Sequence, residues 1–215
     1  MDTPRPERPI TLHRFVLSGH CHRVELFLRL LDLPYRTVDV DLAHGEHKRA
    51  EFLALNPFGQ VPVIDDDGVV LFDSNAILVY LALRYAAESH WLPRDPLGAA
   101  RVQRWLSAAA GPLASGAATA RLIQLFGLQR DASEAIERGH QLFRIIENTL
   151  VQQDSPFITG AEATLADIAL YSYTAHAPEG KVSLDDYPAL RAWLKRIEAL
   201  PRFTPMPPSR VGPAV

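Results

Sequence analysis

Ser18 and Cys21 are the first residues in the chain whose types and spacing could do chemistry. They lie in Ser18-Gly19-His20-Cys21-His22-Arg23-Val24, between an apolar run and a helix-like pattern. A helix start that follows a strand offers unpaired amides and the positive end of the peptide dipoles, and both stabilise an anion. A thiolate is such an anion. Ser18-x-x-Cys21 has the spacing of a Cys-x-x-Cys redox motif, with serine where the exposed, low-pKa thiol would stand. The chain then supplies a hydroxyl donor to a sulfur carried by a ligand rather than a nucleophile of its own. A plainer reading is equally open, because serine is a good N-cap. Cys21 could be a redox thiol or a buried one, and free cysteine is among the most buried residue types. His20, Cys21 and His22 diverge around a helix axis and no second cysteine exists, so no metal site is expected. His44 and His47 read, by themselves, as surface residues.

A second constellation follows. Val61-Pro62 opens a strand just after Gly59, and the sequence leaves both isomers of that bond open. Asp73-Ser74 lies between a strand and a helix. Both residues are good helix caps. They could also receive a ligand, since a carboxylate binds an ammonium group while a hydroxyl and helix amides bind a carboxylate. An α-amino acid terminus presents both charges.

The elements that position these residues can be read from hydrophobic spacing. Ile10 to Leu17 predicts a buried strand, and Arg23 to Leu31 a helix ended by Asp32-Leu33-Pro34. Val38 and Val40 suggest a second strand, and His47 to Leu55 a short helix. Val61–Ile64 and Val69–Phe72 flank an Asp-Gly hairpin signal, and Ser74 to Ala87 returns to helical spacing. The order βαβ, then ββα, implies a parallel pair carrying an antiparallel hairpin. After Trp91 to Pro96 no strand follows. Helices are expected at Gly98–Ala110, Leu113–Phe126, Ala132–Gln152, Leu165–Ala175 and Pro188–Leu200. The chain thus divides into an α/β domain over 9–88 and an all-α domain over 96–204.

Composition narrows the function. The chain has 215 residues, 47% of them hydrophobic and 22% charged, which suffices for a sizeable core. A net charge of −3 with no basic block argues against a nucleic-acid partner. No apolar run approaches the length of a membrane span, and no signal-like segment opens the chain. One cysteine fits a reducing compartment, so a cytoplasmic location is expected. Met1 to Pro9 and Pro205 to Val215 read as loose tails.

Four segments occur in order: Gly45-Glu46-His47-Lys48, Asn56-Pro57-Phe58-Gly59-Gln60-Val61-Pro62, Asp73-Ser74-Asn75-Ala76-Ile77, and Thr164-Leu165-Ala166-Asp167-Ile168. With Ser18, they resemble the cytosolic glutathione transferase superfamily over essentially the whole chain. The likeness is to its serine-type classes, phi-, theta- and zeta-like, and related bacterial enzymes. The resemblance implies a thioredoxin-like first domain, an all-helical second domain and a homodimer. It implies glutathione as co-substrate, activated as a thiolate that attacks a small hydrophobic electrophile in detoxification. By position, Ser18 matches the hydroxyl that hydrogen-bonds the glutathione sulfur. His47 and Lys48 match residues near the glycine carboxylate. Gln60 and Val61 match the stretch holding the cysteinyl backbone, with Pro62 as the family's cis-proline. Asp73 and Ser74 match the pair gripping the γ-glutamyl end, although the common pattern has glutamate where Asp73 stands. Thr164-x-x-Asp167 matches a structural capping box. The electrophile pocket is expected between the domains, with Trp105, Leu113, Tyr171 and His176 as candidates; aromatic residues at helical spacing are also ordinary core. Rival readings are a glutathione-dependent isomerase, dehalogenase or peroxidase, a disulfide oxidoreductase using Cys21, and a non-catalytic interaction module.

Overall fold

The computed structural model describes residues 4–209, which form two compact units. Residues 4–92 with Pro201–Met206 make the first, and Pro93–Leu200 with 207–209 the second.

In the first unit β1 (Ile10–Arg14) leads into α1 (Gly19–Leu30) and β2 (Tyr35–Asp39). A 3-10 turn at Glu46–Lys48, α2 (Ala50–Leu55), β3 (Val63–Asp66), β4 (Val69–Phe72) and α3 (Ser74–Tyr85) follow. The sheet order is β2-β1-β3-β4. β1 pairs in parallel with β2, while β3 runs antiparallel to both β1 and β4. This is the parallel pair with an antiparallel hairpin that the element order implies. Asp67 and Gly68, at φ 52 and 88, form the two-residue turn. Ile10, Leu12, Val24, Phe27, Leu28, Ile64, Ile77, Leu78 and Leu81 are all fully buried. Each such side chain contributes about 1.5–3 kcal/mol of transfer free energy, which anchors both helix starts to the sheet.

Three local expectations change. α1 begins at Gly19, four residues before Arg23, because Ser18 caps it and the His22 amide already donates to the Ser18 carbonyl at 2.9 Å. The expected His47–Leu55 helix is broken at Arg49, whose ψ of 156 is extended. His47 and Lys48 therefore sit in the 3-10 turn. Asp65 and Asp66 belong to β3, not to the turn. Asp66 is tolerated inside, 5% exposed, because Tyr80 and Tyr85 hydroxyls donate to its Oδ2 at 2.7 and 2.6 Å.

The second unit is helical: α4 (Pro96–Ala108), α5 (Thr119–Leu125), α6 (Ser133–Gln153), α7 (Leu165–Ala175) and α8 (Pro188–Glu198). The expected helix over Leu113–Phe126 is not regular. Ala109–Ala118 forms wide π-type turns holding Pro112, and Gly116 leaves the helical region at φ −96, ψ −106. α8 buries Leu190, Trp193, Leu194 and Ile197, the face that its spacing predicts. At the head of α7 the expected capping box is present. Asp167 accepts from the Thr164 amide at 2.8 Å, the Ile158 amide at 2.9 Å and the Trp193 indole at 2.8 Å. Burial pushes its carboxyl up, and these donors oppose that shift.

The loose C-terminal tail is corrected over 205–209. Met206 is buried, and the Ser209 amide donates to Glu179 Oε1 at 3.1 Å. Residues 210–215 and Met1 to Thr3 lie outside the described residues. Among the described residues no helix is long and apolar enough to cross a membrane.

Candidate active site

The turn from β1 to α1 carries Ser18. Its backbone is extended, and its Oγ accepts from the Cys21 amide at 3.3 Å. The hydroxyl hydrogen is not used by that bond. Ser18 is therefore the cap that the plain reading expects, at the positive end of a 12-residue helix. Cys21 is hydrogen-bonded through its sulfur to the Ser18 side chain. It is 1% exposed, its Sγ accepts from the Phe15 amide at 3.4 Å, and burial pushes its thiol up to about 11. It is a buried thiol, neutral at ordinary pH.

The second wall is the loop before β3. Asn56, buried in the loop, accepts from the Phe58 amide at 3.0 Å and donates through Nδ2 to the Gln60 carbonyl at 2.7 Å. Lys48 Nζ donates to the Gly59 carbonyl at 3.1 Å, tying the 3-10 turn to the same loop. Gly59 has φ +58, and a Cβ there would lie 2.7 Å from the His47 carbonyl oxygen. These contacts fix Gln60 and Val61 at the mouth of β3, and the Val61–Pro62 bond is cis.

The third wall is the start of α3. Asp73 holds φ 68, ψ 119, an unusual backbone for a residue with a side chain, and caps α3 through Oδ1 to the Asn75 and Ala76 amides at 3.0 and 2.9 Å. Ser74, 4% exposed, accepts from Arg23 Nη1 at 3.2 Å. The same Nη1 donates to Asn75 Oδ1 at 2.8 Å. Arg23 is completely buried and joins α1 to the head of α3. His20 Nδ1 lies 3.3 Å from Ser74 Oγ. Burial first, and the Arg23 charge second, push the His20 imidazole down to about 3, so it is neutral at ordinary pH.

An open concavity of about 400 Å³ gathers these walls. Its lining includes His20, Gln60, Val61, Pro62, Asp73 and Ser74. Five of the positions singled out for glutathione thus meet at one place. Ser18 is not in the lining itself; it stands two residues before His20 at the same helix start. Lys48 braces the loop through the Gly59 carbonyl, and His47 lies in the same 3-10 turn. The His47 Nδ1 is buried without a hydrogen-bond partner among the described residues.

The helical candidates are placed otherwise. Leu113 is fully buried, and Tyr171, 3% exposed, donates to Glu198 at 3.0 Å. His176 Nδ1 lies 2.8 Å from Glu179. Trp105 is 4% exposed, under the Arg104 guanidinium at 5.5 Å, and its indole N–H has no partner among the described residues. Sequence reasoning missed His20, Arg23 and Asn56. His20 stands in a His-Cys-His run that diverges around the helix axis and carries no signal of its own, and a buried arginine has no signal in helical spacing. Asn56 before Pro57 did carry one, since Asn-Pro favours a turn that the Asn side chain stabilises.

Comparison with known proteins matches residues 17–84 to the N-terminal domain model of glutathione S-transferases and residues 110–201 to the C-terminal one. Glutathione S-transferase 3 of Zea mays is 34% identical, over 93% of this chain and 96% of its own. Glutathione S-transferase theta-2 of Homo sapiens is 33% identical, over 86% and 78%. A crystal structure of a glutathione S-transferase from Pseudomonas fluorescens superposes with a TM-score of 0.85 at 36% identity, over 93% of this chain and 99% of that one.

Proposed function

The chain belongs to the glutathione S-transferase family, and from that premise we propose that Ser18 holds the glutathione sulfur as a thiolate at the head of α1. The protein is a glutathione transferase: it activates glutathione for attack on a small electrophile. The observation carrying the serine assignment is the state of its hydroxyl. Its oxygen accepts from the Cys21 amide, which orients the group at the head of α1, and its one hydrogen, shared with the Cys21 sulfur in the free protein, is given to the glutathione sulfur when that ligand binds.

A thiol has a pKa near about 8.5, so only a few per cent is thiolate at neutral pH. A hydrogen bond to the charged form and the helix start both favour that form. Together they lower the sulfur's pKa by about one to two units, or about 1.4–2.7 kcal/mol. Serine does not act as a base here. It is a positioned donor for charge on sulfur, and the thiolate attacks the electrophile held beside it.

In this reading Gln60 and Val61 hold the cysteinyl backbone, and Pro62 shapes that edge. Asp73 takes the γ-glutamyl ammonium, and Ser74 with the α3 amides takes its carboxylate. His47 and Lys48 serve the glycine end. Asp73 has one methylene less than glutamate and already caps α3, which keeps its carboxylate close to the helix. Trp105, Leu113 and Tyr171 are buried within the helical unit and His176 pairs with Glu179, so the electrophile site is not built from them, and the protein works as a cytoplasmic homodimer. Cys21 gives no support to a disulfide oxidoreductase, because its sulfur is inaccessible and protonated.

The test is turnover of an activated aryl halide with glutathione, in wild type and Ser18→Ala. A loss of kcat larger than the loss of glutathione affinity supports the assignment. Equal turnover in the two proteins refutes it.

A further inference from the structure

His20 is a polar side chain of the concavity that the reading above does not use. His20 lines it, and its Nδ1 is 3.3 Å from Ser74 Oγ. The hydrogen accounting at Ser74 is unusually constrained. A guanidinium carries donors only, so Arg23 Nη1, 3.2 Å away, must donate to Ser74 Oγ. Arg23 is completely buried and is held by Asn75 Oδ1 as well, so this donor does not swing away. Ser74 keeps one hydrogen and one lone pair.

Which of these faces the concavity depends on His20. Its imidazole is neutral, so exactly one ring nitrogen carries hydrogen. With hydrogen on Nε2, Nδ1 accepts the Ser74 hydrogen, and Ser74 presents no donor to a ligand. With hydrogen on Nδ1, the imidazole donates to Ser74 Oγ. Both lone pairs of Ser74 are then filled, by Arg23 and His20, and its O–H is released toward the concavity. A carboxylate seated at the head of α3 requires the second arrangement, because it can only accept.

We infer that His20 is a positioning residue for glutathione: with Arg23 it directs the Ser74 hydroxyl, and its Nδ1–H tautomer releases that hydroxyl to the γ-glutamyl carboxylate. The inference rests on the glutathione reading of this site. It makes His20 a determinant of affinity for a ligand with a carboxylate at that end, acting through Ser74 rather than on the sulfur. The tautomer change moves a proton between ring nitrogens by exchange with water and leaves the imidazole neutral throughout.

The direct test is nitrogen-15 NMR of the His20 ring in the whole protein, with and without glutathione. Saturation is followed independently by calorimetry. Nδ1 is expected to become the hydrogen-bearing, pyrrole-type nitrogen on binding. Alongside it, glutathione affinity is measured for His20→Ala, Ser74→Ala and the double variant. The two single variants are expected to weaken binding about tenfold each, and the double variant scarcely more than either. In His20→Ala the KM for glutathione rises about tenfold while kcat falls no more than about twofold. His20→Asn, which returns an amide at the Nδ1 position, recovers most of the affinity. Saturating glutathione with no change at Nδ1, or single effects that multiply in the double variant, overturns the inference and leaves the transferase assignment standing. Failure of the wild type to bind glutathione at all overturns both.

Discussion

Replacing Gly59 with alanine separates two costs that the structure prices differently. Gly59 and Gly45 both hold positive φ, +58 and +71. Alanine at either position carries the left-handed backbone penalty of about 1–2 kcal/mol. At Gly45 nothing lies within 4 Å of the added Cβ. At Gly59 the Cβ meets the His47 carbonyl oxygen at 2.7 Å, Lys48 Nζ at 2.9 Å and Leu53 Cδ2 at 3.1 Å. The lysine can swing away, at the loss of its bond to the Gly59 carbonyl. The backbone oxygen cannot move without shifting the 3-10 turn. Such overpacking adds about 1–3 kcal/mol. Gly59→Ala is therefore expected to lower stability by about 2–5 kcal/mol and Gly45→Ala by about 1–2 kcal/mol. Because the strained loop carries Gln60 and Val61, Gly59→Ala also weakens glutathione binding, and Gly45→Ala does not. Urea midpoints at constant m, with calorimetric affinity for glutathione, read both. Equal destabilisation by the two substitutions would refute the packing argument.

Other outcomes follow from particular contacts. Asp167→Ala strands four buried donors, the Thr164 amide and hydroxyl, the Ile158 amide and the Trp193 indole, and is expected to cost about 3–5 kcal/mol by urea unfolding. Folding depresses the His20 pKa from 6.5 to about 3, so below pH 6.5 the unfolded chain binds the extra proton. Stability is then whole above about pH 6.5 and declines as pH falls, by about 2 kcal/mol at pH 5, and His20→Asn flattens that slope. Glu179 adds to the decline only below about pH 4.5. Burial would raise its carboxyl, but hydrogen bonds from Ser209, His176 and Arg121 pull it down to about 2. Iodoacetamide should label Cys21 in native protein at least about a hundredfold more slowly than in urea, since the thiol is buried and its pKa is about 11.

The strand and helix order and the capping box at Thr164 were legible because they rest on hydrophobic period and capping chemistry. Boundaries drifted where tertiary partners decide. Asp65 and Asp66 look like turn residues until Tyr80 and Tyr85 arrive from α3 to satisfy Asp66. Gly19 and His20 are poor helix formers, so the true start of α1 was hidden behind the cap at Ser18. Pro112 and Gly116 carried a warning that the helix there would not be regular. The site itself was read from short motifs, and Gln60 to Pro62 with Asp73 and Ser74 do line one concavity. The residues that organise those motifs were not visible. Arg23 lies on a helix face where arginine reads as solvent-exposed, and only the packed structure shows it buried against α3.

The central claim is that Ser18 ionises the sulfur. The most direct measurement is the pH titration of thiolate absorbance of bound glutathione, in wild type and in Ser18→Ala. The expected sulfur pKa lies about one to two units below the free thiol in wild type and returns most of the way in the mutant. A pKa that is depressed equally in both proteins would contradict it.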